Sequence, residues 1–374
     1  MDNSLLAVRD INHKYIVVVG EIMETKQRNS NIELLRIMSM IGVIILHYNN
    51  PGIGGGLSQV SDSLNHFILF VLESISICAV NLFILISGYF LCRSSKRQLI
   101  KPIELIIQVI FFSVVLYIVK ICVGAETLTI KGLIMTLVPS NWFVILYSTL
   151  YIISPYINIL LEQLSGKQKK KMVIVLFAIF SVWPTIVDLS GEILGKEWIG
   201  LSSVGMYGSE WGYSIVNFLL VYIIGAYLYH MEESQNKRNK KQLLFCLLMT
   251  ILIITGWAFL NERATLFTER SAWEYCNPLV IIEAVIIFLL LKNMKPFYSK
   301  IVNNLAKGCF TVFLLQNTFI RKLHIDKYIN GNVLLLLFHL LLNCVVIYII
   351  CWIIYIIYTV ITKPFFKMLE KKLL

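Results

Sequence analysis

The sequence predicts an all-α polytopic membrane protein with about ten transmembrane helices and both termini in the cytoplasm. Three observations lead there. Of 374 residues, 57% are hydrophobic and 15% charged, and the mean hydropathy is +0.75, which suits one membrane-embedded domain better than two soluble ones. Apolar windows of about 20 residues, the length that crosses a bilayer as a helix, recur along the chain. Lysines and arginines gather in alternate gaps between those windows, as loops on one membrane face do.

The first 30 residues stand apart. Ile16-Val-Val-Val-Gly20 is too short for the core of a cleaved signal. Met23 opens a polar run to Ser30 that reads as a natural start, so residues 1–22 are either a mis-called extension or a tail. Span one is 31–48 and ends at the flexible turn Pro51-Gly-Ile-Gly-Gly-Gly56. The remaining spans are placed at 67–92, 102–124, 142–161, 171–189, 211–230, 242–260, 277–292, 305–321 and 332–361. Spans eight and nine are short and the tenth is long, and 362–374 reads as a basic tail.

Charge sets the orientation. The loops after spans two, four, six and eight hold Arg93, Lys96, Arg97 and Lys101; Lys167, Lys169, Lys170 and Lys171; Lys237, Arg238, Lys240 and Lys241; and Lys292, Lys295, Lys300 and Lys307. The opposite loops hold only Lys131, Lys196, Arg263, Arg270, Arg321, Lys322 and Lys327. This excess predicts that the richer loops face the cytoplasm. It also explains the net charge of +11 through membrane-face clusters and argues against nucleic acid as a partner.

The longer loops, 49–66, 190–210 and 261–276, then lie outside. In and beside them Trp198, Tyr207, Trp211, Trp273 and Tyr275 read either as surfaces for sugar rings or as an interfacial aromatic belt. The eight cysteines form no Cys-x-x-Cys pair and sit mostly in apolar runs, so they read as packing residues. Cys276 alone falls in an outer loop and is expected to be the most accessible loop thiol. The six histidines lack His-x-x-x-His spacing, and no metal site is predicted.

Arg36 and His47 are the unusual pair of span one. Eleven helical residues make about three turns, so the two share one face about 16 Å apart. A guanidinium and an imidazole on one stripe of an apolar span are costly in lipid and belong against protein or a wet cavity. An imidazole with an ordinary pKa near 6.5 is suited to accept a proton at neutral pH. Glu73, Glu104 and Glu283 are also costly where they lie, and Glu73, on the outer half of span two, is placed at a depth from which it could orient the His47 ring.

The spacing of Arg36 and His47, followed by Asn81-Leu-Phe-Ile-Leu-Ile-Ser-Gly-Tyr-Phe90, resembles acyltransferase family 3, the integral-membrane O-acyltransferases of bacterial surface polysaccharides. Arg93-Ser-Ser-Lys-Arg97 resembles the family's basic turn, and Asn141-Trp-Phe-Val-Ile-Leu-Tyr147 its aromatic helix opening. The resemblance covers about 30–325 and implies a membrane acyltransferase domain over 31–361, between a cytoplasmic tail at 1–30 and the basic tail at 362–374. It implies an acyl-CoA donor, acetyl-CoA first, with no tightly bound cofactor, and a polysaccharide or lipid-linked glycan as acceptor. Its expected setting is the bacterial cytoplasmic membrane, in contact with lipids and glycan-assembly machinery.

Under this resemblance His47, Arg36 and Glu73 are the catalytic candidates, with His47 the general base. Arg36, Arg93, Lys96 and Arg97 are expected at the CoA phosphates, and Trp142 and Tyr147 at the substrate. Asn81, Ser87 and Gly88 read as architectural residues that let helices approach. One departure stands out: Phe313-Leu-Leu-Gln316 occupies the place of a late aromatic-Leu-Ile-His string, and an amide cannot exchange a proton at neutral pH. The competing functional classes are a glycan exporter or flippase, a proton-coupled transporter and a glycan polymerase.

Overall fold

A computed structural model describes residues 29–94, 98–231, 239–264 and 269–373. The described residues form helices and loops with no β-strand. Among the described residues, seven helices or helix pairs are long and apolar enough to cross a membrane: Ser30–Asn49, Ser63–Leu91, Ile100–Cys122, Ile130–Gln163, Gly166–Leu194, Lys240–Glu262 and Val333–Lys371. The protein is therefore a helical multi-pass membrane protein.

We number the principal helices α1 (Ser30–Asn49), α2 (Ser63–Ser76), α3 (Ala79–Leu91), α4 (Ile100–Cys122), α5 (Ile130–Leu137), α6 (Trp142–Gln163), α7 (Gly166–Phe177), α8 (Trp183–Leu194), α9 (Ile215–Met231), α10 (Lys240–Ala264), α11 (Pro278–Lys292), α12 (Lys300–Lys307), α13 (Cys309–Ile320) and α14 (Val333–Leu373). A π-helical turn, Ala178–Val182, joins α7 to α8. Spans six, eight and nine of the sequence reading correspond to α9, α11 and α13, of 17, 15 and 12 residues. At 1.5 Å per residue these reach only about 18–26 Å, short of a hydrocarbon core of about 30 Å. Burial explains how α9 and α11 remain apolar at this length: Phe218, Leu220, Val221 and Tyr222 of α9 and Val280, Ala284 and Phe288 of α11 are wholly enclosed by protein.

Helix α3 is the hub, packed against α9, α11 and α1. Its seam with α9 is closed by two glycines facing each other's backbone. A methyl group on Gly88 would strike the Tyr222 carbonyl, and one on Gly225 would strike the Leu85 carbonyl. Asn158 of α6 locks the lower end of this seam: its Nδ2 donates to the carbonyls of Leu91 (2.8 Å) and Ser94 (2.7 Å), and its Oδ1 accepts from the Tyr222 hydroxyl (2.8 Å). At the other end the Asn81 amide donates to the Tyr275 carbonyl at 2.7 Å and accepts from Asn217 at 3.3 Å. The polar residues of α3 thus tie it to α6, α9 and the loop before α11.

Residues 362–373 are helical: α14 continues through Pro364 to Leu373 as one helix of 41 residues, because the stretch after Ile361 consists largely of good helix formers. One expectation needs correction. Cys276 is not accessible. It is fully buried, its carbonyl accepts from the Ser181 hydroxyl, and burial pushes its thiol up from the ordinary range. The exposed thiols are Cys122 and Cys246.

Candidate active site

Helix α1 starts from a firmly held end. Asn29 caps it by accepting from the Asn31 amide at 3.0 Å. The buried Ser30 hydroxyl donates to Asn303 at 2.8 Å, and the Asn31 side chain donates to the Met294 carbonyl at 3.0 Å. These bonds fix the register in which α1 presents Glu33, Arg36, Met40 and Val43 to one cavity. The offsets of three, four and three residues keep these side chains on one helical stripe, about 15 Å long. His47 lies one turn beyond Val43 on the same stripe.

The cavity has a volume of about 310 Å³, within the range of small-molecule sites. Helix α3 contributes Phe83 and Ser87 to its wall, α6 contributes Phe143 and Tyr147, and α13 contributes Phe310 and Phe313. Asn141 is the reason α6 begins where it does: its side chain accepts from the Val144 amide at 3.1 Å, and the next turn then directs Phe143 and Tyr147 inward. The hydroxyls of Ser87 and Tyr147 are 3.1 Å apart, and Ser87 also donates to the Phe83 carbonyl at 2.9 Å. Two motifs separated by 60 residues therefore meet in one hydrogen bond at the cavity wall.

Charge is concentrated at one end. Arg36 donates to Glu33 at 2.8 Å, with the arginine side chain 33% and the glutamate side chain 9% exposed. Lys307 also lines the cavity and bonds Asn304 at 3.1 Å. Lys307 was hidden in the sequence because it belongs to an inner-loop cluster that reads as membrane anchoring; its place at the junction of α12 and α13 brings it to Arg36. The cavity is thus cationic at the Arg36 end and aromatic along its length.

His47, one turn beyond Val43, is not among the residues that line the cavity; its neighbour is Gln316, the side chain that replaces the late histidine. Gln316 is completely buried and its amide reaches the imidazole, with Arg321 within electrostatic range. Neither amide atom of Gln316 nor Nδ1 of His47 completes a hydrogen bond of good geometry. The Glu73 carboxylate takes a different partner from the one expected: it accepts from Asn49 at 2.8 Å. Asn49 also donates to the Leu69 carbonyl at 3.3 Å and is fully buried. Glu73 thus braces the end of α1 two residues beyond His47.

The remaining candidates separate. Tyr147 lines the cavity, whereas Trp142 stacks on Tyr275 (6.2 Å, 21°) and leans on Tyr213 (4.5 Å) outside it. Arg93 is exposed at the end of α3 with its guanidinium 4.8 Å from the centre of the Tyr229 ring, and it does not line the cavity. Lys96 and Arg97 lie outside the described residues. The arrangement offers a cationic end for an acidic group, an aromatic wall, and a histidine one helical turn beyond the lining of the cavity. No curated protein and no solved structure is significantly similar to the chain. The profile of the Acyltransferase domain, Acyl_transf_3, matches residues 29–356, which include every cavity residue named above, and the chain accordingly belongs to acyltransferase family 3.

Proposed function

We propose that this membrane acyltransferase moves an acyl group, acetyl in the simplest case, from cytoplasmic acyl-CoA to a hydroxyl of a surface polysaccharide or lipid-linked glycan. The observation that supports this reading is the single cavity in which Arg36 and Lys307 mark one end, Ser87 and Tyr147 flank the passage, and the α1 stripe leads on to His47. A guanidinium binds phosphate oxygens with two parallel hydrogen bonds, and an ammonium adds a point charge. The acidic CoA head is assigned to that end and the pantetheine arm to the aromatic passage. In the assigned step His47 accepts the acceptor hydroxyl proton, the oxygen attacks the thioester carbonyl, the C–S bond breaks, and the proton passes to the departing thiolate.

Both termini and the Arg93 loop are assigned to the cytoplasmic side of a bacterial plasma membrane, on the charge alternation. The direct test is the purified full chain in nanodiscs, supplied with acetyl-CoA labelled in the acetyl group and with glycans from the source cell. Label appearing in glycan, together with a mass difference of one acetyl group between glycans of cells with and without the gene, is the expected result. Glycan export lost without any change in acylation would refute the proposal.

A further inference from the structure

A second cavity, of about 570 Å³, lies where α8 ends and is walled by that helix end, the loop at 195–211 and Glu274. Three aromatic residues, Trp198, Tyr207 and Trp211, face it with five carboxylates, Asp188, Glu192, Glu197, Glu210 and Glu274, and one cation, Lys196. Trp211 is 44% and Tyr207 67% exposed. We propose that this cavity is a binding site for an uncharged, hydroxyl-rich sugar, the acceptor segment of the transfer reaction; the acceptor assignment rests on the function proposed above.

The wall is built rather than incidental. The Asp188 carboxylate accepts from the Ser209 amide at 3.0 Å, and the Ser209 hydroxyl donates to Glu274 at 3.0 Å while accepting from the Trp211 amide at 3.1 Å. Ser209 and Glu274 are both buried. The Trp211 carbonyl in turn accepts from the Tyr275 amide at 3.1 Å. These bonds hold Glu210 and Trp211 in left-handed backbone conformations, φ 53° and 52°, which non-glycine residues adopt only when their surroundings impose it.

The chemistry of the lining selects the ligand. Flat aromatic faces accept the C–H face of a sugar ring, and carboxylates accept hydrogen bonds from its hydroxyls. Five carboxylates against one lysine repel an anionic glycan, nucleotide or lipid headgroup. A cation is less well served, because Asp188 and Glu274 spend oxygens on Ser209, and no group of three or more His, Cys, Asp or Glu among the described residues is arranged to hold a metal ion.

Position connects this cavity to the first. From Trp211 a line of ring contacts runs through Tyr213 (6.5 Å), Tyr275 (5.2 Å), Trp142 (6.2 Å), Phe143 (5.9 Å) and Tyr147 (5.7 Å). Tyr147 is the residue that meets Ser87. Tyr275 also lies within electrostatic range of Glu73, the residue bonded to Asn49 beside His47. Trp211 is therefore linked by an unbroken chain of ring contacts to the wall of the first cavity.

Hydrogen–deuterium exchange on the full chain in nanodiscs, without acyl-CoA, tests the site. Glycans released from the surface of the source cell are split by anion exchange into neutral and acidic pools, and spermidine serves as the cationic probe. The neutral pool is expected to slow exchange across 199–212, with at least tenfold more glycan needed in Trp211→Ala and in Tyr207→Ala, the second being a change at an exposed ring that leaves the Ser209 bonds in place. The acidic pool and spermidine are expected to have no effect. Absence of protection by the neutral pool, equal protection by either other probe, or wild-type behaviour in both variants would overturn the site. Neutral-pool protection in a chain that transfers no acyl group would instead refute the proposed reaction and leave the sugar site standing.

Discussion

Arg36 is already engaged by Glu33, and this gives a test whose two arms have opposite signs. If its guanidinium binds the acidic head of acyl-CoA, it must share its hydrogen bonds with Glu33, 2.8 Å away. Replacing Arg36 with Gln removes charge-assisted hydrogen bonds worth about 1.5–3 kcal/mol, which at about 1.4 kcal/mol per decade is a rise of roughly 10- to 150-fold in the KM for acyl-CoA. Replacing Glu33 with Gln removes the competitor. With the arginine one third exposed, that ion pair is worth at most about 1 kcal/mol, so KM should fall by up to about fivefold. Initial rates at varied acyl-CoA give KM, and equilibrium binding in a His47→Gln background gives Kd without turnover. A correctly inserted Arg36→Gln chain with unchanged Kd, or a Glu33→Gln chain that binds acyl-CoA more weakly, would refute the assignment.

His47→Gln and His47→Ala should fold and insert normally while losing about 100- to 10,000-fold in transfer rate, since a positioned base is removed; near-normal glycan acylation in His47→Gln would show that the base lies elsewhere. Gln316→Leu should keep thermal stability, because its buried amide has no well-formed hydrogen bond to lose, yet lower kcat about tenfold at unchanged KM for acyl-CoA by removing the polar group that reaches the imidazole when it takes up a proton; an unchanged kcat would make Gln316 a packing residue only. In a Cys246→Ser background, Cys122, exposed at the end of α4 opposite the Arg93 loop, should react with a membrane-impermeant maleimide in intact cells, and reaction only after permeabilisation would reverse the assigned orientation.

The stripe joining Arg36 to His47 was legible because helical period alone places residues eleven apart on one face. Contacts across the bundle were not legible: nothing in the spacing of Ser87 and Tyr147 announces a 3.1 Å approach, and Lys307 looked like any other lysine of a basic loop. Glu73 was placed at a useful depth, but depth along a helix does not determine which neighbour it faces, and the amide of Asn49 took the bond. Apolar windows marked the positions of α9, α11 and α13 without distinguishing a helix facing lipid from one enclosed by protein, which is why their lengths fell short of a full span. A place in a loop suggests exposure for Cys276, but loop residues can fold inward, and here Ser181 and Glu274 cover it.

The facing glycines of α3 and α9 bear on how much this protein moves. Alternating-access transport requires one bundle to rock against another, and a rocking seam needs slack for the helices to slide or pivot. Gly88 and Gly225 leave none, each pressed on a carbonyl of the opposite helix, and Asn158 pins the same two helices to α6. Ser87, the neighbour of Gly88, forms part of the wall of the Arg36 cavity, so that wall is immobilised by the seam behind it. A pivot at α3–α9 would break the Asn158 bonds and drive backbone into backbone. A fixed wall suits a passage along which a thin chain is threaded and from which it is withdrawn, with the substrate moving and the helices standing still.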